Sequence, residues 1–268
     1  MPKLNANLSM MFTELDFLDR FAAAAKAGFK GVEYLFPYDF DTNEIEKRLV
    51  DNNLTQVLFN LPAGDWEAGE RGIACLPDRV KEFRQGVDLA IAYSKVLKCQ
   101  QCNILAGIVP EGVTLEEAEQ TFIENLKYAA PRLKKAGIRC LIEAINTRDI
   151  PGFFLNNTEQ TLAIIEQAGS DNLFYQYDIY HMQIMEGDIT PTISKHLSKI
   201  SHVQLADNPG RHEPGTGEIN YHFIFKFLDE INYQGWLGCE YKPLTSTEEG
   251  LHWLTTHQVL STDNTNVS

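Results

Sequence analysis

The chain has 268 residues, 44% of them apolar, and a formal charge of −14 from 23 basic and 37 acidic side chains. That length buries a full core as one large or two small domains, and no shift in composition marks a seam, so one domain is expected. The negative field repels phosphate backbones and no basic stripe offsets it, which argues against a nucleic-acid partner; a small anion held by a few local cations stays compatible, because salt screens the field within about 8 Å.

The first residues, "MPKLNANLSMMF", lack the basic segment and long apolar run of a secretory signal, and no stretch reaches the length of a membrane span, so a cytoplasmic protein is expected. "LNANLSM" (4–10) is the first predicted strand, and "TELDFLDRFAAAAKAG" (13–28) follows as a helix with a Thr cap and a stop at Gly28. Strands "GVEYLF" (31–36) and "TQVLFNL" (55–61) come next, with helices over 42–52 and 77–98. After strand "CNILAGIV" (102–109), a long helix opens on Thr114, carries Glu117 in capping-box position, ends at Gly137 and should kink at Pro131. Strands "RCLIEAI" (139–145), "LFYQYDIY" (173–180), "HVQLAD" (202–207) and "WLGCEY" (236–241) then alternate with helices over 157–168, 190–199, 220–232 and 246–257.

Eight strand–helix units in this length predict an α/β fold, a single (β/α)8 TIM barrel over residues 1–258, with 259–268 a polar tail. A doubly wound sheet is the rival, but it usually carries a glycine-rich phosphate turn after its first strand, and "ANLSMMFTE" has none. The five cysteines form no even framework and read as free thiols; Cys99 and Cys102 have CxxC spacing without a second pair.

Active sites of such barrels form at the C-terminal ends of strands. Polar residues closing otherwise apolar strands are Glu143, Asp178 with His181 just beyond, Gln204, and Glu240 with Lys242. Glu143, Asp178, Gln204 and Glu240 are spaced by 35, 26 and 36 residues, each about one βα unit, so they should converge on one axis. Three carboxylates in a poorly solvated site repel one another unless a cation sits among them. Oxygen ligands from these four residues suit Mg²⁺ or Mn²⁺, and the Gln204 amide oxygen ligates without adding a fourth charge. Singly, each acid also reads as a salt-bridge partner or a helix cap, and His181 reads either as a catalytic or substrate contact or as a structural histidine at a strand–helix junction.

The loop "ADNPGRHEPGTGEINY" follows the Gln204 strand and so lies over the same face, where Arg211 and His212 are candidates to hold an anion; a solvated connection is the plainer reading. Arg71, in "LPAGDWEAGERGIACLP", and Lys242 are further candidates for a substrate carboxylate, or surface charges.

The segments "NLSMMF", "NLPAGDW", "GERGIAC", "ENLKYAA", "IPGF", "QYDIYHMQ", "HVQLADNPGRHEPGTGEINY" and "GCEYKP" resemble the hydroxypyruvate isomerase family of the xylose-isomerase-like barrels, over roughly residues 4 to 254. The resemblance implies Glu143 and Glu240 as paired proton donor and acceptor, a divalent ion on Glu143, Asp178, Gln204 and Glu240, no organic cofactor, and a small hydroxy- or oxo-acid substrate of glyoxylate metabolism. Proton transfer through an enediolate and a hydride shift both stay open, as does a homo-oligomer. Rival functions are isomerisation of a four-carbon 2-oxo-tetronate, metal-dependent endonuclease activity, for which the chain is too acidic, and non-catalytic binding of a sugar acid.

Overall fold

The computed structural model describes residues 3–256. The eight strands are β1 (Lys3–Asn7), β2 (Gly31–Tyr34), β3 (Thr55–Asn60), β4 (Gln101–Ile104), β5 (Arg139–Glu143), β6 (Leu173–Asp178), β7 (Ile200–Leu205) and β8 (Trp236–Cys239). All pair in parallel in chain order, and β8 returns to β1 with Leu237 opposite Leu4, so the sheet closes and has no edge. Closure removes the doubly wound alternative, whose sheet is open.

Alternation along the strands separates two environments. Ala6, Val32, Phe59, Ile142, Tyr177, Val203 and Leu205 are fully or almost fully buried in the main apolar core. The intervening positions point into the barrel. Toward the strand N-termini they form a small separate apolar plug of Val57, Leu58 and Leu141, with Phe174 and Trp236 packed on it. Above the plug they are polar: Asn5, Asn7, Glu33, Asn103, Glu143, Gln176, Asp178, His202 and Gln204 are all buried. A barrel interior of this composition persists only because its members bond to one another.

The helices are α1 (Arg20–Lys26), α2 (Thr42–Asp51), α3 (Val80–Leu97), α4 (Leu115–Lys135), α5 (Thr158–Ala168), α6 (Ile179–Met185), α7 (Ile189–His196), α8 (Tyr221–Glu230), α9 (Thr247–Gly250) and α10 (Trp253–Thr256). The Thr114–Glu117 capping box forms at α4, which runs as one element through Pro131. The helix expected over 13–28 begins later, with a 3-10 turn at Phe17–Asp19, because the preceding segment folds back: Phe12 takes a left-handed conformation and its N–H donates to Thr247 Oγ1 at 2.6 Å. The expected 246–257 helix is instead two short pieces, α9 and α10. Strand six stops at Asp178, two residues before the expected end, and α6, absent from the sequence expectation, starts at once. All five cysteines are buried and free. Residues 259–268, expected as a tail, lie outside the described residues. Among the described residues no helix is long and apolar enough to cross a membrane.

At the rim, the loops after β3 and β4 touch backbone to backbone at Gly72 and Gly107, both in left-handed conformations. A Cβ on Gly107 would lie 2.4 Å from the Gly72 carbonyl oxygen. Gly107→Ala is therefore expected to destabilise the fold by about 2 kcal/mol, from backbone strain plus the clash, readable as a lower urea midpoint with an unchanged m-value.

Candidate active site

Glu143 and Asp178 are the last residues of β5 and β6, Gln204 lies opposite Asp178 on β7, and Glu240 follows β8 directly; each is at most 5% exposed. Asp178 does two jobs. Its Oδ1 caps α6, accepting from the N–H groups of Tyr180 at 2.7 Å and His181 at 3.2 Å, and this turn swings His181 over the barrel mouth. Its Oδ2 is buried without a hydrogen-bond partner. One ligand atom each from Glu143, Asp178, His181 and Glu240 fall within 4.8 Å of one another.

The loop after β7 delivers a cation to this cluster. Asp207 organises it, accepting from the N–H groups of Asn208, Gly215 and Ile219, while its own N–H donates to the His212 carbonyl. Arg211 is held in a left-handed conformation at φ 54°, its N–H on the Asp207 carbonyl and its own carbonyl accepting from Lys242 N–H. Non-glycine residues rarely adopt that conformation unless surroundings impose it, and such strain gathers at functional sites. Here it brings Arg211 Nη2 to 2.8 Å from Glu240 Oε2 and 3.9 Å from Asp178 Oδ2, with the guanidinium 5.1 Å from the Tyr180 ring centroid.

Charge crowding sets the proton affinities. Burial, then the neighbouring Glu240 and Asp178 carboxylates, pushes the Glu143 carboxyl well above its ordinary range. Burial pushes Glu240 up to about 8, against the pull of Arg211 and with the push of Asp178 and Glu33. Burial also works against the Arg211 charge, but Glu240, Asp178 and Glu143 outweigh it and raise its pKa. His181 is pushed down to about 4, chiefly by burial, and is neutral.

The His181 tautomer follows from its neighbours. Asn146 Oδ1 accepts from Asp149 N–H at 2.8 Å, which fixes the amide so that its Nδ2 meets His181 Nδ1 at 2.6 Å. The Nδ1 lone pair is thereby used in a bond much shorter than the 3.4 Å approach of Arg211 Nη2 to Nε2, so the proton of the neutral ring sits on Nε2. Nε2 lies 3.6 Å from Asp178 Oδ2 and 3.9 Å from Glu143 Oε1. A metal-bound histidine instead keeps a lone pair for the ion and donates its other N–H outward. His181 is built as a hydrogen-bond donor into the site.

The cluster can bind a metal. An orphaned buried carboxylate oxygen and two carboxyls with raised proton affinity are the marks of a missing positive charge, and an all-oxygen donor set suits a hard divalent ion. Gln204 Oε1 accepts from Gln176 Nε2 at 2.6 Å, which uses one of its two lone pairs.

Of the basic residues singled out in the sequence, Arg211 joins the carboxyl groups. His212 and Lys242 bind each other beside it, His212 Nδ1 lying 2.8 Å from the Lys242 carbonyl, with the Lys242 side chain exposed. Arg71 bonds within its own loop, to the carbonyls of Trp66 and Glu70, with its guanidinium 4.3 Å from the Trp66 ring centroid. A cavity of about 600 Å³ opens at the opposite floor of the barrel, between Lys3, Arg139, Ser201 and Trp236, away from every carboxyl of the cluster.

Five amides and acids that hold this site escaped the sequence reading. Asn103 Nδ2 and Gln176 Nε2 both donate to Glu143 Oε2, at 2.8 and 2.9 Å, leaving Oε1 free. Asn7 Nδ2 donates to Glu240 Oε1 at 3.1 Å, and Asn146 sets the histidine. Glu33 lies one layer down; burial alone would raise its pKa, but His202 and amide donors outweigh that and hold it below the usual carboxylate range. The signal was present in four of them, a polar residue at an inward strand position between apolar neighbours, as in "LNAN", "GVEY", "CNIL" and "YQYD", while Asn146 lies in the loop after β5.

A closed parallel barrel with a buried carboxyl cluster, a neutral histidine and an arginine at its C-terminal mouth has the make-up of an enzyme of the barrel class, whose sites lie at that end of the strands. The chain belongs to the xylose isomerase-like TIM barrel family, whose sequence pattern matches residues 21–257. It is 54% identical over 254 residues to the hydroxypyruvate isomerase of Escherichia coli (strain K12), covering 95% of this chain and 98% of that protein. It is 46% identical over 254 residues to the 2-oxo-tetronate isomerase of Cupriavidus necator, again covering 95% and 98%. A solved structure described as an AP endonuclease, family 2, from Brucella melitensis superposes with a TM-score of 0.93 at 48% identity, covering 96% of this chain and 99% of that one.

Proposed function

We propose that this protein is a cytoplasmic hydroxypyruvate isomerase, interconverting hydroxypyruvate and 2-hydroxy-3-oxopropanoate. The observation that carries the reading is the pairing of Glu143 and Glu240 across one buried cluster, in a chain 54% identical to an enzyme of that name.

The two compounds differ by exchange of a carbonyl between C2 and C3. One glutamate removes a C3 proton to give an enediolate, the other delivers a proton to C2, and the hydroxyl proton moves from the C3 oxygen to the C2 oxygen. Glu143 Oε1 is the less encumbered oxygen, while Glu240 has Asn7 on one oxygen and Arg211 on the other. The 2.8 Å contact with the arginine favours ionised Glu240 as the base and leaves proton delivery to Glu143. His181 Nε2–H, facing the carboxyl cluster, is the donor for the enediolate oxygen that develops charge, and Arg211, the cation nearest the carboxyl groups, is the anchor for the substrate carboxylate. Positioned acid–base groups supply about 10²–10⁴ in rate, and fixed donors at a developing oxyanion about 3 kcal/mol each. A Mg²⁺ or Mn²⁺ ion held by Glu143, Asp178, Gln204 and Glu240 would supply fixed positive charge to the substrate oxygens.

The relative of 46% identity favours a second reading, isomerisation of 2-oxo-tetronates. A nuclease is opposed by the charge of −14 and by a cluster with a single histidine. Turnover of hydroxypyruvate and of 2-oxo-tetronates, run in D₂O, separates these. Hydroxypyruvate is expected to be the better substrate, with deuterium entering C2. A preference for four carbons by tenfold or more replaces the first reading with the second, and strict retention of substrate hydrogen replaces proton transfer with a hydride shift.

A further inference from the structure

Beneath the carboxyl groups lies a second buried acid that the mechanism above does not use. Glu33 Oε2 accepts from Asn5 Nδ2 at 2.7 Å and from His202 Nε2 at 2.7 Å; its Oε1 accepts from Asn7 Nδ2 at 3.1 Å and Gln204 Nε2 at 2.8 Å. Two of those donors lead upward. Asn7 Nδ2 is shared between Glu33 Oε1 and Glu240 Oε1, 3.1 Å from each. Gln204, tied by its nitrogen to Glu33, turns its oxygen to Gln176 Nε2, which donates in turn to Glu143 Oε2 at 2.9 Å. The bonded path Glu143–Gln176–Gln204–Glu33–Asn7–Glu240 thus joins both glutamates through one anion.

We propose that Glu33 is a positioning residue: it fixes the direction of the Asn7 and Gln204 amides, and through them the orientation of Glu240 and Glu143. This rests on the assignment of those two glutamates as the proton-transfer pair.

The direction of an amide is the point at issue, since its two ends are nearly the same size and offer opposite bonding. Only a group that accepts and never donates holds every amide nitrogen around it turned toward itself. With an amide at position 33, one of its own N–H groups would oppose a donor, and Gln204 would satisfy it by turning over. That turn presents a nitrogen to Gln176 and removes the carbonyl oxygen from the mouth.

Stability alone does not call for an acid here. Leu58, opposite Glu33 on β3, and Leu141 already fill part of the same interior with apolar groups, and a well-packed apolar group is generally no worse than a buried charge. The chain also makes room for the carboxylate. Gly238 of β8 faces it, and a Cβ there would lie 2.6 Å from each Glu33 oxygen.

The test uses Glu33→Gln, which keeps the shape, and Gly238→Ala, which keeps the acid and displaces it. In both, kcat on hydroxypyruvate is expected to fall about 10- to 100-fold with KM changed less than about twofold, because supporting bonds orient the reacting groups without touching substrate. In protein labelled with ¹⁵N-glutamine, the side-chain amide protons of Gln176 and Gln204 are expected to be protected from exchange in the parent and to lose protection in Glu33→Gln, while backbone protection persists. A parent protein inactive on hydroxypyruvate removes the functional reading and leaves the amide exchange to decide on positioning. Unchanged kcat and unchanged amide protection in Glu33→Gln, or a rise in KM at constant kcat, overturn the proposal. Failure of both variants to fold assigns Glu33 to stability and overturns it equally.

Discussion

Glu143→Gln and Glu240→Gln are each expected to lower kcat by about 10²–10⁴ while the protein stays folded. Glutamine matches the shape of glutamate and keeps an acceptor oxygen, so Asn103 and Gln176 still find a partner at position 143, and Asn7 or Arg211 one at position 240. What is lost is the capacity to take and return a proton. The stability readout separates this from damage to the fold. Both carboxyls have raised proton affinity because burial and mutual repulsion oppose their charge, so neutral replacements relieve repulsion. In the absence of added cation the Tm of Glu143→Gln should equal or exceed that of the parent. Glu240→Gln should gain less, since it also gives up the 2.8 Å contact with Arg211. Near-normal kcat in either variant would remove that glutamate from proton transfer.

The fold was legible because a barrel of parallel strands leaves a repeated mark, apolar runs alternating with amphipathic segments at fixed spacing. Boundaries were less so, and the reasons are specific. "LFYQYDIY" is apolar and aromatic to its end, but Asp178 stops the strand by bonding the next two N–H groups of α6, a local competition that hydrophobic patterning does not register. At residues 13–16 the tie from Phe12 to Thr247, 235 positions away, decides the backbone, and no window of sequence contains both.

The same division holds for the site. Glu143, Asp178, Gln204 and Glu240 stood out because they close apolar strands, and Arg211 because it sits in a glycine-rich loop after one of them. Glu33, Asn7, Asn103 and Gln176 occupy inward positions of the same kind, yet a lone polar residue inside a strand declares no partner until the barrel brings other strands to it. The tautomer of His181 needed one step more, since it follows from Asp149 acting on Asn146 and Asn146 acting on the ring.

Removing divalent cations is expected to lower kcat by about 10²–10³, the scale of losing one fixed charge at a developing oxyanion, with Mg²⁺ or Mn²⁺ restoring it. The stability of the stripped protein gives an independent reading with a definite sign. Below the ordinary carboxyl value of 4.5 both folded and unfolded Glu240 hold a proton; between there and about 8 the folded state keeps a proton that the unfolded chain has released. Stability from this group therefore falls as pH rises through that window, and the raised Glu143 acts in the same direction. Glu33, held below its usual range, contributes with the opposite sign at lower pH, so total stability against pH is not the clean measure. The difference in Tm with and without Mg²⁺ is. A cation bound by Glu143, Asp178 and Glu240 cancels the repulsion only where the carboxyls would otherwise carry protons or pay for their charge, so the gain in Tm should widen steadily from pH 5 to pH 8 and binding should release protons. Full turnover in metal-stripped protein, or a cation-induced Tm gain that stays flat across that range, would show that Arg211 alone balances the cluster.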